Sequence, residues 1–176
     1  MHKVILKKNL KPNIYLLSPP NFKLEEFSKL LEAVFSLGIV TVFQLRLKNC
    51  SDQFLHSSIK LLNNICKKKK IIFILNDRPD LVKSYNLDGV HVGEKDLSIK
   101  NCRKLIGDNK IIGKSCYNSI NLGEVAEKDK SDYIAFGSFF QTNTKKNVRY
   151  VNIQDFEKRL KNFQLPLVGI GGINKD

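Results

Sequence analysis

Acidic residues are scarce in this 176-residue chain: seventeen Asp and Glu stand against thirty Lys and Arg, a formal net charge of +13. A surplus of that size suits a nucleic acid, a membrane surface or an anionic small substrate. Arginine is scarcer still, occurring only at positions 46, 78, 103, 149 and 159. The positive charge is therefore mostly lysine, which serves solubility and diffuse attraction better than bidentate reading of bases. With no aromatic-plus-arginine platform beside it, no specific nucleic-acid partner is expected. Cysteine is limited to positions 50, 66, 102 and 116, with no Cys-x-x-Cys spacing, so neither a disulfide framework nor a zinc site is expected and the thiols should be reduced and mostly buried. Long apolar runs are missing too. The longest strongly apolar one, Ile71 to Leu75, has five residues, against the about 18 to 20 that a membrane span needs. Nor do the first eight residues hold the apolar core of a signal peptide. No membrane association and a cytoplasmic location are the expectations, and the length suits a single domain over 1–176 behind a basic segment at 1–12.

What the chain does have is a rhythm. Short apolar runs at Ile14–Leu17, Val40–Arg46, Ile71–Leu75, Leu87–Val92, Lys110–Ser115, Tyr133–Gly137 and Leu167–Ile170 alternate with segments of helical period. Phe27, Leu30, Leu31 and Val34 form one helical stripe; Leu55, Ile59, Leu62 and Cys66 form a second, and Ile153, Phe156, Leu160 and Phe163 another. Pro79 is placed to open a third helix. The block Lys67–Lys70 falls at the end of the second helix, where cations offset the helix dipole and remain in water, and that reading is favoured over a binding patch. Strands and helices in strict alternation predict an α/β fold with a parallel sheet, and seven units in unbroken order favour a (β/α) barrel over a doubly wound sheet.

Polar residues gather where these strands end. Gln44, Arg46 and Lys48 are spaced two apart, Asn76-Asp77-Arg78 follows the third strand, Asp96 follows the fourth, Ser115 closes the fifth, and Thr142, Thr144 and Lys145 follow the sixth. In a parallel barrel all of these positions share one rim, the rim that carries active sites. Its two carboxylates, several cations, hydroxyls and glycines match a metal-bound diphosphate. Mg2+ takes one or two carboxylates and fills its shell with water and phosphate oxygens, so Asp77 and Asp96 are the natural pair. Arg46, Lys48 and Lys145 balance the remaining phosphate charge, and Gly171-Gly172 offers backbone N–H groups to a second phosphate. His91, on an apolar strand, is read as a hydrogen-bonded core residue rather than a base.

Six ordered motifs, Gln44-Leu-Arg-Leu-Lys48, Leu75-Asn-Asp-Arg78, Asp88-Gly-Val-His-Val-Gly93 with Asp96, Gly113-Lys-Ser115, Phe136 to Lys145 and Gly169-Ile-Gly-Gly-Ile173, together resemble thiamine phosphate synthase. The resemblance implies a TIM-type (β/α)8 barrel that joins an aminopyrimidine-methyl diphosphate to a thiazole phosphate. It implies that Gln44, Arg46, Lys48, Asn76, Ser115 and Lys145 bind the pyrimidine diphosphate, with Arg46, Lys48, Ser115 and Lys145 acting in catalysis. Asp77 and Asp96 are then the Mg2+ ligands, and Thr142, Thr144, Gly171 and Gly172 bind the thiazole phosphate. Two other readings remain at this point: a thiazole tautomerase-like isomerase, whose His position is taken here by Tyr117, and a shortened, non-catalytic partner protein. The family continues with a helix, strand and helix beyond the seventh strand. A chain ending at Asp176 is therefore expected either to be a short form or to cover its open edge by self-association as a homo-oligomer.

Overall fold

A parallel strand buried on both faces needs apolar residues at every position, whereas a strand that lines a barrel mouth must change to polar residues at its C-terminal tip. The second strand shows both. In the computed structural model, which describes residues 14–140, 157 and 161–173, it runs Val40-Thr-Val-Phe-Gln-Leu45 and its last four residues are all buried. The described elements follow in order as β1 (Ile14–Leu17), α1 (Leu24–Ser36), β2 (Val40–Leu45), α2 (Asp52–Lys69), β3 (Ile72–Asn76) and α3 (Asp80–Ser84). After them come β4 (Gly89–Val92), α4 (Ile99–Ile106), β5 (Ile111–Tyr117), α5 (Ile120–Lys128), β6 (Tyr133–Phe136) and β7 (Leu167–Gly169).

All six strand pairs are parallel, and the sheet order is β1-β2-β3-β4-β5-β6-β7 with no reversal. An order without a switch point is that of a barrel rather than a doubly wound sheet. The sheet is rolled up accordingly: the Tyr15 hydroxyl on β1 lies 2.6 Å from the Tyr133 hydroxyl on β6, across the interior. Among the described residues β1 and β7 are the two edges and are not hydrogen-bonded to each other.

Alternation divides the strand residues between two layers. Phe43, Leu45, Phe73, Leu75, Val90, Val92, Ile112, Ile134 and Phe136 face the helices and join one apolar cluster with Leu31, Phe35, Ile59, Leu62, Cys66 and Cys102. Val42, Ile74, Tyr133 and Ala135 are equally buried but lie outside that cluster, on the inner face shared with Gln44, Asn76 and His91. The four thiols are unpaired, and three of them are buried.

The stripe expected on α2 is the one it buries. On α1 the face is rotated: Leu31 and Phe35 are buried and Phe27 and Val34 half-buried, while Leu30 is 60% exposed. Leu30 lies about 100° round the helix from the centre of that face, too far to share it. In the third stripe, Ile153, Phe156 and Leu160 lie outside the described residues; Phe163 is buried against Phe136. Ser51, Ser98 and Ser119 cap α2, α4 and α5 with their side-chain oxygens. Lys67, Lys68 and Lys69 form the last turn of α2, and Lys70 ends it in the left-handed conformation, φ 57°.

The opposite face of the barrel is held by a device used twice. Asp88, just before β4, accepts the N–H of Phe73 at 2.8 Å, and Asp132, just before β6, accepts the N–H of Ile112 at 2.8 Å. Arg103 from α4 then bridges Asp132 and the carbonyls of Gly107, Lys110 and Lys130.

Candidate active site

The strands end raggedly, and the site grows from that raggedness. β2 stops at Leu45 rather than Arg46, and β3 runs one residue further than the apolar run, through Asn76. Gln44 and Asn76 are thereby still strand residues with inward side chains, and they meet: Gln44 Nε2 donates to Asn76 Oδ1 at 2.6 Å. Asp77 follows immediately in the left-handed region at φ 63°, its N–H donating to the His91 carbonyl at 2.9 Å. Aspartate tolerates that conformation far better than a branched residue would.

The turn brings Asp77 to Asp96. The Asp96 carboxylate is held by the Gly93 N–H at 2.6 Å, close enough to Asp77 for each to feel the other's charge. Burial first, and then Asp96, push the Asp77 carboxyl above the ordinary carboxylate range, with Lys48 acting in the other direction. Lys48 Nζ lies 3.3 Å from Asp77 Oδ2. One partly exposed lysine beside two carboxylates leaves the pair short of positive charge. Among the described residues no group of three or more His, Cys, Asp and Glu could hold a metal. A two-carboxylate set does not fit a tetrahedral zinc site, but it fits Mg2+, which keeps several waters and takes substrate phosphate oxygens.

Beneath the acids runs a polar layer that sequence reasoning did not assemble. Tyr15 Oη donates to Gln44 Oε1 at 2.9 Å and lies 2.6 Å from Tyr133 Oη. Tyr133 Oη lies 2.8 Å from His91 Nδ1, and His91 Nε2 lies 2.7 Å from Ser115 Oγ. His91, as expected, is a buried and hydrogen-bonded core residue. Burial, and then the charge of Lys114, pull its pKa down from 6.5 to about 4, with Arg46 adding to the effect and Asp96 opposing it. Lys114 lies near this layer because its Nζ donates to the Gly93 carbonyl at 2.6 Å. A base with a lowered folded pKa contributes stability that is intact above the unfolded value and is lost as pH falls through the folded one. Between pH 6.5 and about 4 the buried His91 should therefore cost up to about 3 kcal/mol of stability. Urea unfolding at pH 7 and pH 4.5 checks this, since His91→Gln should flatten that part of the profile; an unchanged profile in the variant would contradict it.

Of the remaining expected site residues, Arg46 is half-buried at the rim, its N–H held by Ser18 Oγ at 2.9 Å. Ser115 is half-buried inside β5, which continues to Tyr117. Tyr117 is exposed with φ 53°. Gly171 and Gly172 follow β7 on the same rim with φ 99° and 67°. A side chain at Gly171 would come within 2.0 Å of Ser138 Oγ, so close packing as well as backbone freedom calls for glycine there. Thr142, Thr144 and Lys145 lie outside the described residues, as do residues 1–12. The structure thus brings together Gln44 with Asn76, and Lys48 with Asp77 and Asp96, and it adds Tyr15, Tyr133, His91 and Lys114. Gly-x-Ser was the one signal in the sequence for this added layer, because Gly113 leaves the space that Tyr133 fills.

The barrel agrees with what the chain matches. Residues 14–176 fit the family model described as thiamine monophosphate synthase. The chain belongs to that family. It is 37% identical over 160 residues to the thiamine-phosphate synthase of Rhodospirillum centenum, covering 91% of this chain and 77% of the relative. It is 42% identical over 161 residues to that of Pelagibacter ubique, with the same coverage. A solved thiamine phosphate pyrophosphorylase from Pyrococcus furiosus superposes with a TM-score of 0.78 at 30% identity, covering 93% of this chain and 77% of that one. Membership of the thiamine monophosphate synthase family makes the chain a transferase of thiamine biosynthesis, with small-molecule substrates. Neither the isomerase nor the non-catalytic reading is favoured by these synthase relatives. No helix among the described residues is long and apolar enough to cross a membrane.

Proposed function

We propose that the chain is an Mg2+-dependent thiamine phosphate synthase that couples 4-amino-2-methyl-5-pyrimidinylmethyl diphosphate to a thiazole phosphate. The observation that carries this reading is the pair Asp77 and Asp96, brought together at neighbouring strand ends with Lys48 as the near cation. Mg2+ held by the two acids would neutralise charge on a diphosphate. The protein's own groups have the rest of the task. Arg46 and Lys48, with Lys145, draw the diphosphate to the rim and balance its charge. Gln44 and Asn76 line the floor beside it, and Ser115 reaches the mouth from β5. The C–O bond of the pyrimidinylmethyl diphosphate breaks with its electron pair leaving on the diphosphate, and the thiazole nitrogen lone pair then forms the new C–N bond. No protein nucleophile takes part. The amino-substituted ring carries the transient positive charge, so the site contributes by holding both partners in line, away from water. Thr142, Thr144, Gly171 and Gly172 are proposed to hold the thiazole phosphate opposite.

The test is direct. Incubated with both substrates and Mg2+, the protein should release thiamine phosphate and diphosphate in equal amounts, and chelation should stop it. Conversion of the thiazole substrate without the pyrimidine would support an isomerase instead, and no product with both substrates present would reject the proposal.

A further inference from the structure

The inner polar layer is a single unbroken chain of hydrogen bonds, Asn76 to Gln44 to Tyr15 to Tyr133 to His91 to Ser115, drawn from six different strands. It has a direction. Gln44 gives an N–H to Asn76, and its carbonyl oxygen accepts from Tyr15. A phenol has one proton, so Tyr15, having given its own to Gln44, can only accept from Tyr133. Tyr133 has then given its proton and can only accept from His91, which must carry hydrogen on Nδ1. His91 is buried against Tyr133 and Ser115; among the described residues Lys114 and Arg46 are the cations and Asp96 the one acid acting on it, and it is a neutral imidazole. One nitrogen of a neutral ring holds the proton, so Nε2 is bare and accepts from Ser115 Oγ.

We propose that Tyr15 and Tyr133 are positioning residues that fix the tautomer of His91 and, through it, turn Ser115 into a hydrogen-bond acceptor at the mouth. With its own proton committed to His91, Ser115 offers lone pairs to what enters. It is thus matched to an N–H donor of the substrate and not to a phosphate oxygen. On the reaction proposed above, on which this last step rests, the donor class is the exocyclic amine of the pyrimidine, whose N–H groups grow more acidic as the ring takes positive charge. The packing supports a built arrangement. Gly113 stands opposite Tyr133 in the β5–β6 register, and a Cβ there would fall 1.9 Å from Tyr133 Cζ, so the tyrosine occupies the place of the missing side chain. The rings of His91 and Tyr133 are stacked at 5.5 Å.

Removing the Tyr15 hydroxyl should reverse the lower half of the chain. Tyr133, with no acceptor at Tyr15, would donate to His91 Nδ1, and the ring proton would move to Nε2 and point at Ser115. Long-range 1H–15N spectra of histidine-labelled protein at pH 7, without substrate, distinguish the two tautomers by the nitrogen shifts. The wild type should show His91 as the Nδ1–H form, and Tyr15→Phe as the Nε2–H form. Tyr133→Phe, which deprives Nδ1–H of its acceptor, should give the same change. In the synthase assay Tyr15→Phe is expected to lower kcat about tenfold with KM for the thiazole phosphate unchanged. A wild-type spectrum showing Nε2–H or a doubly protonated ring would overturn the proposal, as would an unaltered tautomer in both variants. Because the tautomer is read in the absence of substrate, its failure is separate from failure of the assigned reaction, which would leave the spectra as expected and the assay blank.

Discussion

Asp77→Asn is expected to lower turnover by about a thousandfold and, at the same time, to make the protein slightly more stable. The loss follows from the proposed role. A metal-held carboxylate that stabilises a departing diphosphate is worth several kcal/mol in the transition state, and about 1.36 kcal/mol is a factor of ten in rate. The gain follows from electrostatics. Burial, then Asp96, hold the Asp77 carboxyl above its ordinary value of 3.8. An acid raised in this way contributes stability that is present below its unfolded pKa and is lost as pH rises through the folded one. At neutral pH the charged form is therefore a burden, which a neutral asparagine removes. Asparagine also accepts the left-handed backbone at φ 63°. Thermal unfolding at pH 7 in chelator-treated buffer should show a small rise in Tm, and the margin of the variant over the wild type should shrink on acidification through that pKa, with the loss due to His91 common to both proteins. Wild-type turnover in both Asp77→Asn and Asp96→Asn without added metal would sink the assignment of the pair.

The second large effect is on stability. Gly113→Ala places a methyl group 1.9 Å from Tyr133 Cζ and 2.3 Å from its hydroxyl oxygen. Tyr133 cannot simply turn away: it is almost fully buried, stacked on His91 and bonded to Tyr15. Overpacking of this kind costs about 1 to 3 kcal/mol, and displacing the ring also breaks two buried hydrogen bonds at about 1 kcal/mol each. Urea unfolding should therefore show a loss of about 3 to 5 kcal/mol, a large fraction of the about 5 to 15 kcal/mol of a typical domain. Combining Gly113→Ala with Tyr133→Phe should cost less than the sum of the two, since both act on the same ring. A variant as stable as the wild type would mean that the inner layer is looser than its distances indicate.

The pattern of short apolar runs was enough to specify seven parallel strands in barrel order, because the central runs are buried on both faces and stand out without their partners, while the edge strands β1 and β7, only partly buried, keep the same apolar spacing. The rim was legible for a related reason. Polar residues at the tips of several strands have no place in the core, so Asp77, Asp96, Lys48 and Gln44 stood out before any contact was known. Where local pattern alone had to decide, it failed by small rotations and shifts: Leu30 faces solvent, β2 ends before Arg46, and β5 runs on past Ser115. Family membership, too, was carried in the ordered motifs of the chain.

The inner layer belongs to the tertiary structure. Tyr15 and Tyr133 are separated by 118 residues, and His91 and Tyr133 by 42. In sequence Tyr15 and Tyr133 are unremarked residues within apolar strands, and His91 is read as a hydrogen-bonded core residue without its partners. No periodicity marks them, because what joins them is the rolling of the sheet, which carries β1 to β6 across an interior that opens only once all the strands are in register. The same closure withdraws water from His91, brings Lys114 over Gly93 and sets the two carboxylates against each other. Burial and long-range charge are properties of that enclosure, which explains why a polar rim could be read along the chain while the protonation and direction of hydrogen bonding of its residues could not.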